Sequence, residues 1–482
     1  MLCAAALALA LGVPLVASAR TALPVDLPVL GAEVPAGGGT TVGLNKAFDP
    51  PRQVDGDLSD WQGRPTRFGG SSVLSHGELV YQDHIFDAYG ADDGRDAKRL
   101  SIQDPLAALV PETYRVDPAL QYVPQEFGVP TPPSLTYYTH YGDLPRTDEA
   151  DLSELRVGAD ADSVWLAART TTMTASAPTA LLVLLDTAPG SATRDVGFGS
   201  GLHSTRADVS VLLSRAGGFV RDLVTGAVTP LPDGSVAVNP DGYANAIEAR
   251  VPLSALGSPP ASFTLAAATG LIDASGSGLR DLGTGPNVAN VAFRSDEPSR
   301  DWWDKRQALE LFAGTIDHFF APVDLGRLRA GANQRYLPGP GYHDRLFLSD
   351  TAISREGGLD GVFQHYGVYI PTGYDPGKAT PLQFWMHFRG GTAHIGAAAV
   401  PRIFKHMGED VHTIVVSPRG RGTSTWYVGK GQVDFREVWA DVHATFATDP
   451  NRTYISGHSM GGWASYLLPI LYPDRFAASL PA

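Results

Sequence analysis

The chain has 482 residues, a length typical of two to four domains. Hydrophobic residues make up 43% and charged residues 18%, an ordinary globular composition that excludes a largely disordered protein. The formal net charge of −14 and the lack of a long basic run argue against nucleic acid as a partner. The 53 glycines and 37 prolines predict many turns and a large β component.

The N-terminus carries a short apolar run, Ala4 to Ala19, that ends in Ala17-Ser18-Ala19. It is too short to span a membrane, and small residues at its end are typical of signal-peptide cleavage. We therefore expect a signal peptide at 1–19, a secreted product and no membrane span after cleavage; the alternative is a buried helix. The single cysteine, Cys3, lies in this run, so no disulfide or thiolate metal site is expected in the mature chain.

The first half of the chain has the pattern of a β-rich domain. Residues 20–48 are rich in Pro, Gly, Ala and Val and predict a linker, and residues 49–325 carry short strand-like segments that predict a β-sandwich with insertions. Leu181–Leu185 is a continuous apolar run, whereas Ile247–Val251 alternates apolar and charged residues, as a half-buried strand does. Gly217-Gly218 predicts the turn of a hairpin.

Three blocks of this region resemble β-sandwich domains similar to family 9 carbohydrate-binding modules and DOMON-like domains. They are Val54–Trp61, Ala159–Ala167 and Ile247–Leu253. The resemblance implies a glycan as one ligand class for the sandwich. Such sandwiches also serve as spacers, so the fold leaves both roles open.

Four acidic residues crowd a glycine-containing loop: Asp87, Asp92, Asp93 and Asp96. Their oxygens suit calcium, but the spacing matches no EF-hand. Acidic runs are more commonly solvated surface, so we predict neither a metal site nor a cofactor.

After a Gly- and Pro-rich stretch at 326–345, predicted to be a second linker, strands alternate with helices, which indicates a mostly parallel sheet in residues 346–482. Gly457-His458-Ser459-Met460-Gly461 follows a strand-like segment and precedes a helical one. A G-x-S-x-G sequence at a strand-to-helix turn is the pattern of a nucleophile elbow. We therefore predict Ser459 as the nucleophile and the Met460 N–H as an oxyanion donor.

A second oxyanion donor is expected after the apolar strand Leu382–Met386, where a glycine-rich loop begins at His387. The donor is the N–H of Phe388 or of Arg389, and the residues do not decide between them. His387 itself is interpreted as a structural hydrogen-bonding residue rather than a base.

Two more patterns concern the scaffold of this region. Residues 432–447 have one apolar face, which predicts a helix, and Asp434 with Glu437 resembles a capping box. Pro418–Gly422 is interpreted as a shaped loop, with the mouth of the site as the alternative.

Residues 361–482 resemble the catalytic domain of the prolyl-oligopeptidase (S9) serine peptidases and related secreted esterases. The resemblance rests on Tyr369–Asp375, Pro418–Gly422, Gly457–Gly462 and Tyr472–Phe476, and covers about a quarter of the chain. It implies an α/β-hydrolase domain, here preceded by a β-sandwich where those families carry a propeller. The expected fold is thus multidomain, a β-sandwich followed by an α/β-hydrolase domain.

The triad of an α/β-hydrolase follows the chain order Ser, Asp or Glu, His. After Ser459 only 23 residues remain, with Asp474 as their one acid and no histidine. The triad acid and histidine are thus absent from this chain, and we expect a hydrolase domain cut short at its C-terminus, with doubtful activity of its own; the alternative is a pseudoenzyme.

The main functional prediction is a secreted serine peptidase of prolyl-oligopeptidase type that forms an acyl-enzyme on Ser459. A secreted carboxylesterase or carbohydrate esterase is the alternative within the same chemistry, so the expected substrate is a peptide or an ester. A hypothesis of another class is a glycan- or cell-surface-binding protein that carries an inactive hydrolase fragment.

Overall fold

The computed structural model describes residues 51–482 with gaps. The residues left undescribed in that range are 86–87, 89, 92–148, 189, 191, 242–243, 283–285, 294–304, 337, 350–362, 390, 392, 394–395, 398–400 and 423. The predicted signal peptide, the predicted linker 20–48 and the four loop aspartates (Asp87, Asp92, Asp93 and Asp96) therefore lie outside the described residues.

The N-terminal half is built from antiparallel strands. In chain order they are β1 Ser71–Ser75, β2 Glu78–Gln82, β3 Leu152–Ala159, β4 Ser163–Thr170, β5 Thr179–Asp186, β6 Arg194–Asp195, β7 His203–Ser204, β8 Val209–Ser214, β9 Gly217–Asp222, β10 Val228–Pro230, β11 Val236–Asn239, β12 Ala246–Pro252, β13 Ser262–Leu271, β14 Asn290–Val291 and β15 Ala321–Asp324. One sheet has the order β1-β2-β3-β4-β12-β11, and a second has the order β10-β9-β8-β5-β13-β14 with β15 also paired to β13. The helices among its described residues are α1 Lys305–Phe312 and α2 Leu325–Arg329, with 3-10 turns at Leu58–Asp60 and Asp317–Phe319.

The two large sheets share one hydrophobic core, and the second sheet is covered on both faces. On β5, Leu181, Val183 and Leu185 join the core shared with the first sheet. Leu182 and Leu184 join a second cluster that includes side chains of α1 and the second 3-10 turn. The run at 181–185 is therefore continuously apolar because successive residues of a strand point to opposite faces, and here both faces are buried.

The hairpin of β8 and β9 forms where it was predicted, but the glycine pair is not its turn. Residues 215–216 make the turn, and Gly217 and Gly218 begin β9. Leu231 and Leu213 lie so close to Gly218 that an added Cβ would sit 2.5 Å from the Leu231 side chain. Close packing therefore explains Gly218.

Glu248 on β12 corrects the expectation of a half-buried strand with its charges in water. Its carboxylate is fully buried and accepts hydrogen bonds from Trp61 Nε1 at 2.7 Å, the Gly56 N–H at 3.0 Å and the Asp55 N–H at 3.1 Å. Burial raises the pKa of Glu248, and these hydrogen bonds lower it. The segment 54–61 therefore folds onto β12 around one buried carboxylate.

We predict that Glu248→Ala lowers the free energy of unfolding by about 2–4 kcal/mol, because three buried donors lose their acceptor. Glu248→Gln keeps one acceptor oxygen and should cost less. Arg250→Ala is the matched control two residues away: its guanidinium is exposed and pairs with Asp160 at 3.3 Å, so the change should be within about 0.5 kcal/mol. Urea unfolding measures all three, and equal stability of the Glu248→Ala and Arg250→Ala proteins would contradict the role of this carboxylate.

The C-terminal half is a mixed sheet with helices between its strands. Its described strands are β16 Gly341–Leu348, β17 Phe363–Ile370, β18 Thr380–Met386, β19 Ile414–Pro418, β20 Thr448–Gly457 and β21 Ala478–Pro481. Its described helices are α3 Pro401–Lys405, α4 Lys430–Thr445 and α5 Met460–Leu471, and a π-helix spans His406–Asp410. The order is β16-β17-β19-β18-β20-β21. The pairs β19–β18, β18–β20 and β20–β21 are parallel, and β17 is antiparallel to both neighbours.

The stretch 326–345, predicted to be a linker, contains regular structure at both ends. Most of α2 lies in its first part, where Leu328 joins the core of the N-terminal sheets, and β16 begins at Gly341. The glycines and prolines that suggested a linker thus flank folded elements.

The two halves are joined by a buried polar contact rather than by the chain alone. The backbone around Phe68 pairs with β16 as an isolated antiparallel bridge to Arg345. Beside it, the Asp344 carboxylate contacts His84 Nδ1 at 3.3 Å and His365 Nδ1 at 2.9 Å, and all three side chains are buried. The N-terminal half therefore covers the outer edge of β16.

Candidate active site

Ser459 stands at the turn between β20 and α5 with φ 56° and ψ −114°. This backbone conformation is strained for a residue with a side chain, and it is the geometry that a nucleophile elbow requires. The residue is exposed, and its carbonyl accepts the Trp463 N–H at 2.9 Å in the first turn of α5. The structure thus presents the hydroxyl-bearing residue to solvent at the start of a helix.

The elbow is held against the end of β18 at van der Waals distance. A Cβ added to Gly461 would lie 2.0 Å from the Met386 carbonyl oxygen, and one added to Gly457 would lie 2.5 Å from the same oxygen. No side chain fits at either position, which is why the pattern needs glycine there. This contact brings the loop after β18 beside Ser459.

Met460 is the first residue of α5, as the elbow pattern predicts. The first N–H groups of a helix have no intrahelical acceptor, and the helix dipole places partial positive charge there. Its side chain is buried, with the sulfur accepting the Trp426 N–H at 3.2 Å. The Met460 backbone is thus fixed next to the serine.

The two candidates for the second oxyanion donor lie in the loop that follows β18. Phe388 is partly buried, with its ring edge-on to the His458 imidazole at a centroid distance of 6.4 Å. Arg389 is exposed, and the Phe388 carbonyl accepts the Gly391 N–H at 3.0 Å, which closes a tight turn. The structure therefore brings Phe388 next to the elbow residue His458.

His387 is completely buried and connects this loop to the one after β19. Its Nδ1 lies 2.9 Å from the Phe388 carbonyl oxygen and its Nε2 lies 2.9 Å from the Arg419 carbonyl oxygen. Its backbone N–H donates to the Tyr427 hydroxyl at 3.1 Å. His387 therefore fixes the relative position of two loops beside the elbow.

Asp434 corrects the capping-box interpretation. The helix begins at Lys430, so Asp434 lies within it and is fully buried. Its Oδ2 accepts the Gly420 N–H at 2.7 Å, and its Oδ1 is 3.3 Å from Arg421 Nε. Glu437 also binds Arg421. Asp434 and Glu437 therefore fix the loop 418–422 by binding Gly420 and Arg421, and do not cap the helix.

Sequence reasoning missed this set of supporting residues. Arg421 is buried with positive φ (58°), and it donates to Ser349 Oγ at 2.6 Å. The spacing of Asp434 and Glu437 was explained by a local capping box, and an arginine in a glycine-rich loop is normally expected to be exposed. The signal that could have found them is the match of two acids one helical turn apart with a nearby arginine.

Within the part of the chain that the structure describes, no histidine is hydrogen-bonded to the Ser459 hydroxyl. His458 is exposed beside it, and both ring nitrogens of His387 face carbonyl groups. Asp474, the acid that follows the elbow, is exposed in the turn before β21. The described residues therefore bring the predicted nucleophile and the predicted oxyanion donors together, but place no histidine base in contact with Ser459.

The residues that the structure describes contain no group of three or more His, Cys, Asp or Glu side chains arranged to hold a metal ion. They also include no helix that is both long enough and apolar enough to cross a membrane.

We predict that Gly461→Ala destabilises the protein by about 3 kcal/mol, because the new methyl group meets a backbone oxygen that cannot move independently. At an open helical site the same change would stabilise by about 1 kcal/mol, so the expected sign is reversed. Gly339→Ala is the control, since nothing lies within 4 Å of its added Cβ. Thermal unfolding of both variants tests this, and a Gly461→Ala protein as stable as the control would refute the contact.

Asp434 also predicts a pH dependence of stability. Burial raises its pKa from 3.8 to about 6, against the opposing effect of Arg421. Between these two values the folded state binds more protons than the unfolded state, so this group makes the free energy of unfolding fall as pH rises.

Asp434→Asn should therefore gain stability relative to the parent between pH 4 and pH 7, on the order of 1–3 kcal/mol. Urea unfolding at several pH values measures the difference, with Asp474→Asn, an exposed acid, as the control that should show no such trend. A stability difference that does not change with pH would contradict the raised pKa.

Comparison with known proteins gives the following matches. Residues 364–481 match the family named Esterase, described as "Putative esterase". No curated protein matches the chain. Similar solved structures include FphF, a fluorophosphonate-binding serine hydrolase of Staphylococcus aureus (19% identity, 30% of this chain and 57% of that chain, TM-score 0.25). The feruloyl esterase module of Clostridium thermocellum is another (20% identity, 28% and 51%, TM-score 0.21).

The chain thus spans a little over half of the length of these structures. A structure described as a thermostable esterase covers more of the chain (13% identity, 69% of this chain and 74% of that chain, TM-score 0.24). The prolyl-oligopeptidase type predicted from the sequence is not confirmed by these matches. The match to the Esterase family thus covers residues 364–481, about a quarter of the chain, and includes Ser459.

Proposed function

We propose that the protein hydrolyses carboxylic esters through an acyl-enzyme formed on Ser459. The observation that carries the proposal is the elbow, where a strained, exposed Ser459 begins a helix beside the loop after β18. The family match favours an ester over a peptide as substrate. The carboxylesterase alternative therefore replaces the prolyl-oligopeptidase peptidase as the main hypothesis.

In this mechanism Ser459 Oγ attacks the ester carbonyl carbon and gives its proton to a general base. The Met460 N–H and the N–H of Phe388 or Arg389 stabilise the oxyanion of the tetrahedral intermediate. Its collapse breaks the bond to the alcohol oxygen, which takes the proton from the base, and leaves the acyl group on Ser459. Water then attacks the acyl carbon in the same way, releases the acid and restores the serine.

The general base and its orienting acid are proposed to be a histidine and a carboxylate, as in the triad of this fold. Helix α5 and strand β21 also carry an apolar surface. Trp463, Tyr466, Ile470 and Leu480 are all exposed there. Exposed apolar patches of this kind are typical of interaction surfaces.

The glycan-binding alternative lacks support from the residues that suggested it. Trp61 and Trp165 belong to the blocks that resemble carbohydrate-binding modules, and both are buried. They pack on the Arg52 guanidinium, whose carbon lies 3.7 Å from one ring centroid and 5.7 Å from the other. Because they are buried, these two indoles are not available to stack on a sugar. Secretion is proposed from the apolar run at 1–19.

We predict that the natural full-length protein is labelled by a fluorophosphonate probe and hydrolyses p-nitrophenyl esters, and that Ser459→Ala abolishes both. Loss of the nucleophile removes on the order of 10⁶-fold in rate. Ser424→Ala, an exposed serine in the loop after β19, is the control that should keep both properties. Labelling or turnover that persists in the Ser459→Ala protein would remove Ser459 from its proposed role.

A further inference from the structure

A strained turn lies against the elbow. It spans Thr425 to Val428, with the Val428 N–H donating to the Thr425 carbonyl at 3.2 Å. Its two central residues, Trp426 and Tyr427, have φ of 57° and 53°. Such a turn normally carries Gly, Asn or Asp, and each bulky residue in this conformation costs about 1–3 kcal/mol.

The turn is held in this conformation by contacts with both sides of the proposed oxyanion site. On one side, the Trp426 N–H donates to the sulfur of Met460, the residue after the nucleophile. On the other, the buried Tyr427 hydroxyl accepts the N–H of His387, the residue before Phe388. Thr425 Oγ1 also donates to the Gly420 carbonyl at 2.6 Å. The turn therefore bridges the two elements that flank Ser459.

The two aromatic side chains of the turn have opposite environments. Tyr427 is completely buried and supplies the anchoring hydroxyl, whereas the Trp426 side chain is 43% exposed. The exposed part of the indole is a large apolar surface that stays in water. Burial of the Trp426 side chain therefore offsets the strain only in part, and strained residues of this kind cluster at functional sites.

We propose that Trp426 is a substrate-contacting residue that selects esters carrying an aromatic ring within a few bonds of the ester carbonyl. This inference rests on the proposed function of Ser459. The flat, partly exposed indole of Trp426, whose backbone N–H binds Met460, stacks on an aromatic ring of the substrate, an arrangement that favours planar π-systems over saturated rings of the same size. Phe388, edge-on to His458, adds a second aromatic wall beside the serine.

The test compares esters that differ only in the aromaticity of one ring, in the natural full-length protein. Methyl phenylacetate is paired with methyl cyclohexylacetate, and benzyl acetate with cyclohexylmethyl acetate, so that either side of the ester is sampled. Trp426→Ala should lower kcat/KM for the aromatic member of at least one pair about 10-fold, mainly through KM, and for the saturated member less than about 2-fold.

Two further variants keep the test independent of folding. Trp426→Gly removes the same side chain and relieves the positive φ, so it should lose less stability than Trp426→Ala and show the same loss of preference. Trp426→Phe keeps a flat ring and should retain most of the preference. Val228→Ala, an exposed valine of β10 in the N-terminal half, is the control that should leave both members of each pair unchanged.

The outcomes separate cleanly. Equal losses on the aromatic and saturated esters would show that Trp426 shapes the turn without contacting the ring, and unchanged kinetics would show that it faces away from the substrate; either result overturns the proposal. A parent protein that hydrolyses none of the four esters and resists the fluorophosphonate probe would instead overturn the function of Ser459.

Discussion

The candidate site depends on one close contact, that between the Met386 carbonyl and the two glycines of the elbow. Strand β18 ends directly against the turn, where Ser459 has a positive φ and the residues two positions away on each side, Gly457 and Gly461, have no side chains. The same contact decides where the loop after β18 lies, and hence where a second oxyanion donor can come from. Nucleophile and oxyanion side are therefore positioned by a single backbone approach, which makes them one structural unit.

Around that unit the structure uses buried polar groups to hold irregular backbone. Gly420 donates to Asp434, His387 joins two loops, and Tyr427 fixes a turn that bulky residues would not adopt by themselves. Burying a carboxylate and a guanidinium together is seldom a gain in stability compared with packing apolar groups. The raised pKa of Asp434 is a direct sign of that cost. Many enzyme sites have the same property: buried charged groups fix the loop geometry and lower the overall stability of the protein.

What could be predicted from the sequence was local, and what could not was set by distant partners. The elbow was predictable because strand, strained serine, glycines and helix all lie within about 25 residues and each has its own residue preference. The strand at 247–251 was predictable from its alternation, but the burial of Glu248 was not, since its donors lie near residue 56. Asp434 and Glu437 satisfied a short-range capping rule for an unrelated reason, because their partner Arg421 lies on another loop. The loop after β18 was placed correctly, yet its donor depends on geometry that no residue pattern encodes.

The junction between the two halves has a consequence for the order in which the chain is made. His84 and Asp344 are 260 residues apart in sequence, so His84 has already left the ribosome when Asp344 is added to the chain. At roughly 5–20 residues per second the delay is on the order of tens of seconds. During that time the early sheets can fold. The backbone around Phe68 has no strand to pair with, so its hydrogen-bonding groups stay exposed and prone to aggregation. Chaperone occupancy of the nascent chain should therefore be highest in the interval before β16 emerges.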